Sequence, residues 1–384
     1  MAHAALAVEA DRRGQEGRWV KTPAPPASPK IRFRDGKRDA FFDAVAARVE
    51  AHFARTGRRP YADLTLVLKG AGFAAVWVCC YGAVLFSDLG VWSKLGLAIL
   101  CGIFALLLAI NLGHDAAHGA LCRSRAVNKA IQRVTFILLG VDARLWRLRH
   151  VGSHHVFPNV KGCDADIDHN DFIRLSPTQT RRWYHRYQHL YAPLLYWLVA
   201  LHTILFQDLL YLRKRQLANM RDIRHTARDY LVFALSKLAY LALFIIAPLA
   251  VLDLPAWQII LGYLIMTFVI SELFVLALIG THFAEEAAFP EVDTSGRIEG
   301  SWASHALATS VDWHPTNRLA IFFLGGANAH AAHHLFPTVC HTHYRAISMI
   351  IAAAAREHGV RYNTLSLGKL VRSHFRFLKS MGAQ

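Results

Sequence analysis

Four apolar blocks, at about residues 64–86, 91–113, 230–252 and 257–281, constrain this chain more than any other feature. Each is long enough for a hydrocarbon core of about 30 Å, which takes roughly 20 helical residues. A backbone in lipid has no water to satisfy its polar groups, so each span must be helical. The links 87–90 (Ser-Asp-Leu-Gly) and 253–256 (Asp-Leu-Pro-Ala) are short, which predicts two transmembrane hairpins. The expected fold class is an all-α integral membrane protein. Four transmembrane helices in two hairpins carry interfacial helices and a cytosolic histidine-rich cap. Composition agrees: only 18% of residues are charged, against about a quarter in soluble domains.

The segments between and after the spans, 119–189, 209–229 and 283–384, are rich in Arg and Lys. By the positive-inside rule they are cytosolic, together with both termini. The net charge of +16 then serves anionic headgroups, and nucleic acid is set aside as a partner. Residues 1–29 read as a disordered tail. Residues 30–63 read as an interfacial amphipathic segment, with Phe41, Phe42, Val45, Val49 and Phe53 on one helical face. The main domain is 64–360, and 361–384 is a basic C-terminal tail. A fifth apolar block, 190–212, contains His202, Gln207 and Asp208, each costly in lipid. If it crossed, the histidine clusters on its two sides would face opposite compartments, so it is read as interfacial. Six cysteines show no CxxC spacing, which argues against a zinc site or a disulfide framework.

Histidine is in excess, with 22 copies. Three clusters stand out: His114 and His118 at the end of the second span; His150, His154 and His155; and His330, His333 and His334 after the last span. His282 stands alone at the end of the fourth span. Residues three or four apart share a helix face, close enough for their side chains to share one ion or two neighbouring ones. The additional adjacent imidazoles can turn toward a second ion. Nine nitrogen ligands exceed what one ion takes, so two ions with four or five imidazoles each account for the set. Imidazole suits iron, copper, nickel and zinc alike, and the ligands alone leave the metal open. Asp115, Asn159, Asp166 and Asn328, with Asp164 and Asp168, are candidates to orient the rings by accepting their second N–H. His185, His189, His314, His341 and His343 stay outside the metal set. Glu272 and Lys237 are the noted ionisable groups within spans, and Glu272 has no visible partner.

At these residues the chain resembles the membrane fatty acid desaturase family. Besides the three boxes, the likeness extends through 146–167 (WRLRHVGSHHVFPNVKGCDADI), 174–196, 281–290 (THFAEEAAFP) and 328–344 (NAHAAHHLFPTVCHTHY), or about 30–360 in all. The resemblance implies two Fe ions held by the eight box histidines, with His282 as a further ligand. It also implies O2 as co-substrate and electrons from a separate ferredoxin- or cytochrome b5-like carrier. The substrate would be a fatty acyl chain linked to CoA, a carrier protein or a lipid. His330 stands where many relatives that act near the carboxyl end have Gln, and Val151 where the second box often has Asn. Both departures bear on the position of the new double bond. No HPGG-bearing cytochrome b5 domain and no rubredoxin CxxC pair is present in the sequence. The Ala- and Arg-rich composition favours a bacterial inner membrane.

A membrane hydroxylase with the same centre is the nearest alternative. A metal transporter would need ionisable groups spread through the spans, and a lipid-binding scaffold would leave nine histidines unexplained.

Overall fold

The computed structural model describes residues 31–36, 39–167 and 171–384. The expected tail at 1–29 and Asp168 lie outside them. Helix α1 covers Ala40–Thr56, α2 Leu64–Phe86, α3 Val91–Leu108, α4 His114–His118, α5 Arg125–Ile137 and α6 Ala143–Arg149. Then come α7 Gln188–Tyr196, α8 Val199–His202, α9 Asp208–Arg213, α10 Ala227–Leu241, α11 Ala247–Val251 and α12 Ala256–Leu278. The last group is α13 Trp302–Ala308, α14 Arg318–Leu324, α15 His330–Leu335, α16 Tyr344–Glu357 and α17 Leu367–Ala383. Among the described residues the strands form two short parallel pairs, β1 (Arg32–Phe33) with β2 (Arg297–Ile298) and β3 (Val311–Trp313) with β4 (Asn363–Leu365).

Among the described residues four helices are long and apolar enough to cross a membrane: Leu64–Phe86, Val91–His118, Ala227–Val251 and Ala256–Leu278. Asp63 starts the first by accepting the Leu66 N–H at 3.1 Å, the ordinary N-cap device. The second and third each contain a wide π turn, Ala109–Gly113 and Ala242–Ile246. Such turns insert a residue and rotate everything beyond them, which is why they gather at functional sites. The turn at Ala109–Gly113 runs directly into α4 and the first histidine pair.

The fifth apolar block is two helical runs, Trp183–Tyr196 and Val199–Arg213, bent by 78°. Its costly Asp208 is answered by Lys237 of the third span, Nζ to Oδ2 at 2.7 Å. Lys237 also donates to the Gly140 and Ile204 carbonyls, and Asp208 accepts the Asp142 N–H. Two residues that are awkward in lipid thus satisfy each other inside the protein, since a buried charge persists when paired and hydrogen-bonded.

Two terminal segments differ from their sequence reading. Helix α1 exists, but Phe41, Val45 and Val49 are buried against Ile347 and Ile351 of α16 and Leu335 of α15 rather than resting on lipid. The C-terminal segment is a docked helix. Gln188 donates to the Leu378 carbonyl at 2.8 Å and Arg181 to that of Gly382 at 2.8 Å. Gly382 is required there, because a Cβ would lie 2.1 Å from the His185 carbonyl oxygen.

Candidate metal centre

All nine singled-out histidines converge. The α4 pair, His114 and His118, meets His150 and His333 in one group of ligand atoms within 4.8 Å of one another. His154, His282, His330 and His334 form a second such group, fully buried. His155 lies between them. Its Nε2 is 3.0 Å from His150 Nε2, and its ring stands 4.4 Å from that of His333 and 4.3 Å from that of His334. The hydrogen-bond-length contact ranks it with the first group, giving five and four.

The partition follows backbone geometry. On α4, His114 and His118 are one α-turn apart and share a face. On α15, His330 and His334 do the same, with Nε2 atoms 3.2 Å apart, while His333 turns to the other group. The second cluster breaks the pattern. Residues His150–His154 form a π turn, and the His155 N–H reaches the His150 carbonyl at 2.9 Å. With five residues to the turn, His155 meets the His150 ring edge-on at 4.5 Å, and His154 Nε2 joins the other group. Spacing alone would have paired His150 with His154.

Acceptors behind the rings fix their tautomers. The Thr309 carbonyl takes the His282 Nδ1 proton at 2.8 Å, and Asp164 Oδ2 takes that of His154 at 3.1 Å. The Tyr344 hydroxyl lies 3.3 Å from His333 Nδ1. Burial, reinforced by neighbouring rings, pushes His150, His155, His282, His330, His333 and His334 well below the ordinary histidine pKa. His154 is the exception. Burial lowers it, but Asp164 more than offsets this and raises it, the effect of a carboxylate that makes an imidazole a more basic donor.

These protons decide whether the site fits a metal. His282 has its proton on Nδ1, so its Nε2 presents a lone pair. That atom is 2.7 Å from His330 Nε2, 3.0 Å from His154 Nε2 and 3.1 Å from His334 Nε2. That one lone pair can accept from only one of the three neighbours, whereas a shared cation satisfies all four nitrogens. Nitrogens about 2.1 Å from a common ion stand roughly 3 Å apart. His118 Nε2 and His333 Nε2 are buried with no hydrogen-bond partner, which is the same signature in the first group. The residues present fit two ions.

The polar neighbours divide. Asp164 is the direct partner of His154, with Asp166 Oδ2 at 3.5 Å. Asn159, at φ 60°, clamps the chain rather than a ring: its side-chain amide donates to the His282 and Ala288 carbonyls, and its N–H to Asp164. Asn328 donates to the His314 carbonyl, and Asp115 accepts from His341; neither bonds a box imidazole. Sequence reasoning missed Thr309, Tyr344 and Asp312. Asp312 Oδ1 accepts the Ala331 N–H at the start of α15, and burial raises its pKa to about 7. A carbonyl and a residue 18 positions before a box leave no local signal.

The fold and the site define a membrane-spanning helical protein with a polyhistidine centre suited to binding metal. The chain belongs to the fatty acid desaturase family, whose model matches residues 89–366. It is 32% identical to an sn-1 linoleoyl-lipid 6-desaturase of Arthrospira platensis over 85% of this chain and 88% of that protein. It is 30% identical to an acyl-lipid (8-3)-desaturase of Physcomitrium patens, covering 92% and 74%, and 28% identical to an sn-1 linoleoyl-lipid 6-desaturase of Synechocystis sp., covering 91% and 98%. Its activity is desaturation of a fatty acyl chain, which decides against the hydroxylase alternative.

Proposed function

We propose that the enzyme is an O2-dependent di-iron desaturase acting on acyl chains esterified in membrane lipid. The convergence of nine imidazoles into groups of five and four carries this reading. His114, His118, His150, His155 and His333 would hold one iron, and His154, His282, His330 and His334 the other. When bound and reduced, iron supplies an oxidant able to remove hydrogen from unactivated methylenes, which zinc cannot. In balance, two adjacent CH2 groups, O2, two electrons and two protons give one double bond and two waters.

The chain's own residues prepare that chemistry. Asp164 and the Thr309 carbonyl hold the Nδ1 protons of His154 and His282, so both rings offer Nε2 inward. Burial keeps the other imidazoles neutral, and it keeps bulk water away from His282, His330 and His334 in particular. Trp146 stacks on His150 at 4.2 Å and braces that ring from outside the cluster. The two cyanobacterial relatives are named for acyl chains carried on lipid, and the spans give this chain access to the same pool. Electrons would come from a ferredoxin- or cytochrome b5-like carrier docking on the basic face. That face, with both termini, would be cytosolic, in a bacterial inner membrane with four crossings and the bent pair lying at its surface.

Expression in a bacterial host, with mass spectrometry of extracted lipids, tests the reading. The expected product has lost two hydrogens and remains on the lipid, and the purified protein carries about two irons per chain. Stoichiometric zinc with no iron-dependent activity would overturn the metal, and conversion of acyl-CoA but not lipid would overturn the carrier.

A further inference from the structure

Lys69 is a lysine within an apolar span, only 6% exposed. An ammonium there has lost its water and needs strong partners. Nothing in the chemistry above uses it. Its Nζ donates to Asn111 Oδ1 at 2.7 Å, to the Phe322 carbonyl at 2.9 Å and to His341 Nε2 at 2.8 Å. An ammonium has three protons and no lone pair. All three are engaged, so none is left for a lipid headgroup in the groove of about 520 Å³ lined by Leu64, Leu68, Phe73 and Phe322 beside it.

The same contact fixes the tautomer of His341. With Nε2 accepting, Nδ1 carries the proton and donates it to Asp115 Oδ2 at 2.8 Å. That oxygen also takes the His341 backbone N–H at 3.2 Å. Asp115 lies on α4 between His114 and His118. Asn111 lies in the π turn just before α4, and its amide group donates to the Leu107 and Phe323 carbonyls, both at 2.8 Å. Gly325 closes on the same turn, where a Cβ would be 2.4 Å from the Ile110 oxygen. One ammonium therefore ties the first span to both the turn and the helix that present the first histidine pair. Asp115, Cys340 and His341 cluster like ligands of a third ion, but the ammonium 2.8 Å from His341 Nε2 opposes a cation there.

We propose that Lys69 is a positioning residue: through His341 and Asp115, and through Asn111, it sets the register in which α4 points His114 and His118 at the first metal position. The inference rests on the two-iron assignment above. Purified wild type, Lys69→Met, His341→Phe and His341→Gln are loaded anaerobically with Fe(II). Bound iron is counted, and Mössbauer spectra resolve the two positions. Wild type is expected to hold two irons. Lys69→Met and His341→Phe are expected to weaken the first position roughly 10- to 100-fold and leave the second intact. His341→Gln, which can accept from Lys69 and donate to Asp115, is expected to stay near wild type. Two full-strength irons in both Lys69→Met and His341→Phe would overturn the proposal. If Lys69→Met does not fold, equal losses in His341→Phe and His341→Gln overturn it instead. A wild type that holds no iron overturns the metal assignment beneath it, and that failure is visible before any variant is made.

Discussion

The two halves of the histidine centre are held in different ways. In the second, His154 and His282 are each pinned from behind the ring, by Asp164 and by the Thr309 carbonyl, and all four histidines are buried. In the first, His114, His118 and His150 are half-buried, and among the described residues no carboxylate bonds their rings directly. Order there comes through the backbone of α4, braced by Asp115, His341 and Lys69 from the membrane side. A ring can be fixed at its far nitrogen or by the helix beneath it. The first device is local and sits on loops; the second reaches into a span and couples the metal position to membrane packing.

The strongest way to break the comparison is to empty each half separately. His282→Ala and His118→Ala are each expected to abolish desaturation, because the proposed chemistry uses both metal positions. Iron counting should show about one ion left in either variant, at opposite positions. Retained turnover would remove the mutated residue from the ligand set. A gentler cut sharpens the contrast. Asp164→Asn replaces an acceptor-only carboxylate with an amide that need not hold the His154 proton. It is expected to weaken iron at the second position roughly 10- to 100-fold and to spare the first. Fe(II) titration of the purified variant checks this, and equal weakening at both positions would mean the halves are not independently held.

How much of this could be read from the residues depends on how local the cause is. The spans were legible because length and apolarity are local properties. The histidine clusters were legible because three- and four-residue spacings mean one helix face. The division into five and four was not, because it turns on a π turn at His150–His154 that nothing in the spacing announces. The orienting groups were half legible. Asp164 lies ten residues beyond His154, whereas Thr309 acts through a carbonyl, an atom every residue has. Lys69 carried a usable signal, an ionisable residue inside an apolar block, although its partner His341 is distant in sequence. For α1 the apolar face was plain, but an amphipathic stripe looks the same whether lipid or α16 covers it.

Outside the centre, the Asp208–Lys237 pair is expected to matter for stability and not for metal. Lys237→Met leaves a buried carboxylate alone, which costs about 3 kcal/mol. The double change Asp208→Leu with Lys237→Met should recover most of that loss, because the unpaired charge is then gone. Thermal unfolding in detergent measures both, with iron content unchanged throughout. A double variant no more stable than the single one would show that the pair's hydrogen bonds to Gly140, Ile204 and Asp142 matter more than its charges.

The smallest effect at neutral pH lies at the docked C-terminal helix. His374 on α17 donates from Nδ1 to the Phe283 carbonyl at 2.6 Å and accepts the Tyr196 hydroxyl at Nε2, 2.7 Å away. The bond from Tyr196 requires the neutral ring, since a protonated Nε2 cannot accept, and burial pushes the His374 pKa from 6.5 down to about 4. Released from the protein, the same ring takes up a proton between those values. The undocked state then binds more protons, so docking strengthens with rising pH. Its full strength is present above about 6.5 and declines as pH falls toward 4. Hydrogen exchange of 367–383, corrected for the intrinsic pH dependence of amide exchange, should therefore be flat above neutrality and accelerate through the acid range. In His374→Gln, whose amide can make both bonds without titrating, that acceleration should vanish. An unchanged acid response in His374→Gln would assign it to other groups. Because Phe283 follows His282 directly, a loosened α17 should then disturb the second metal position before the first.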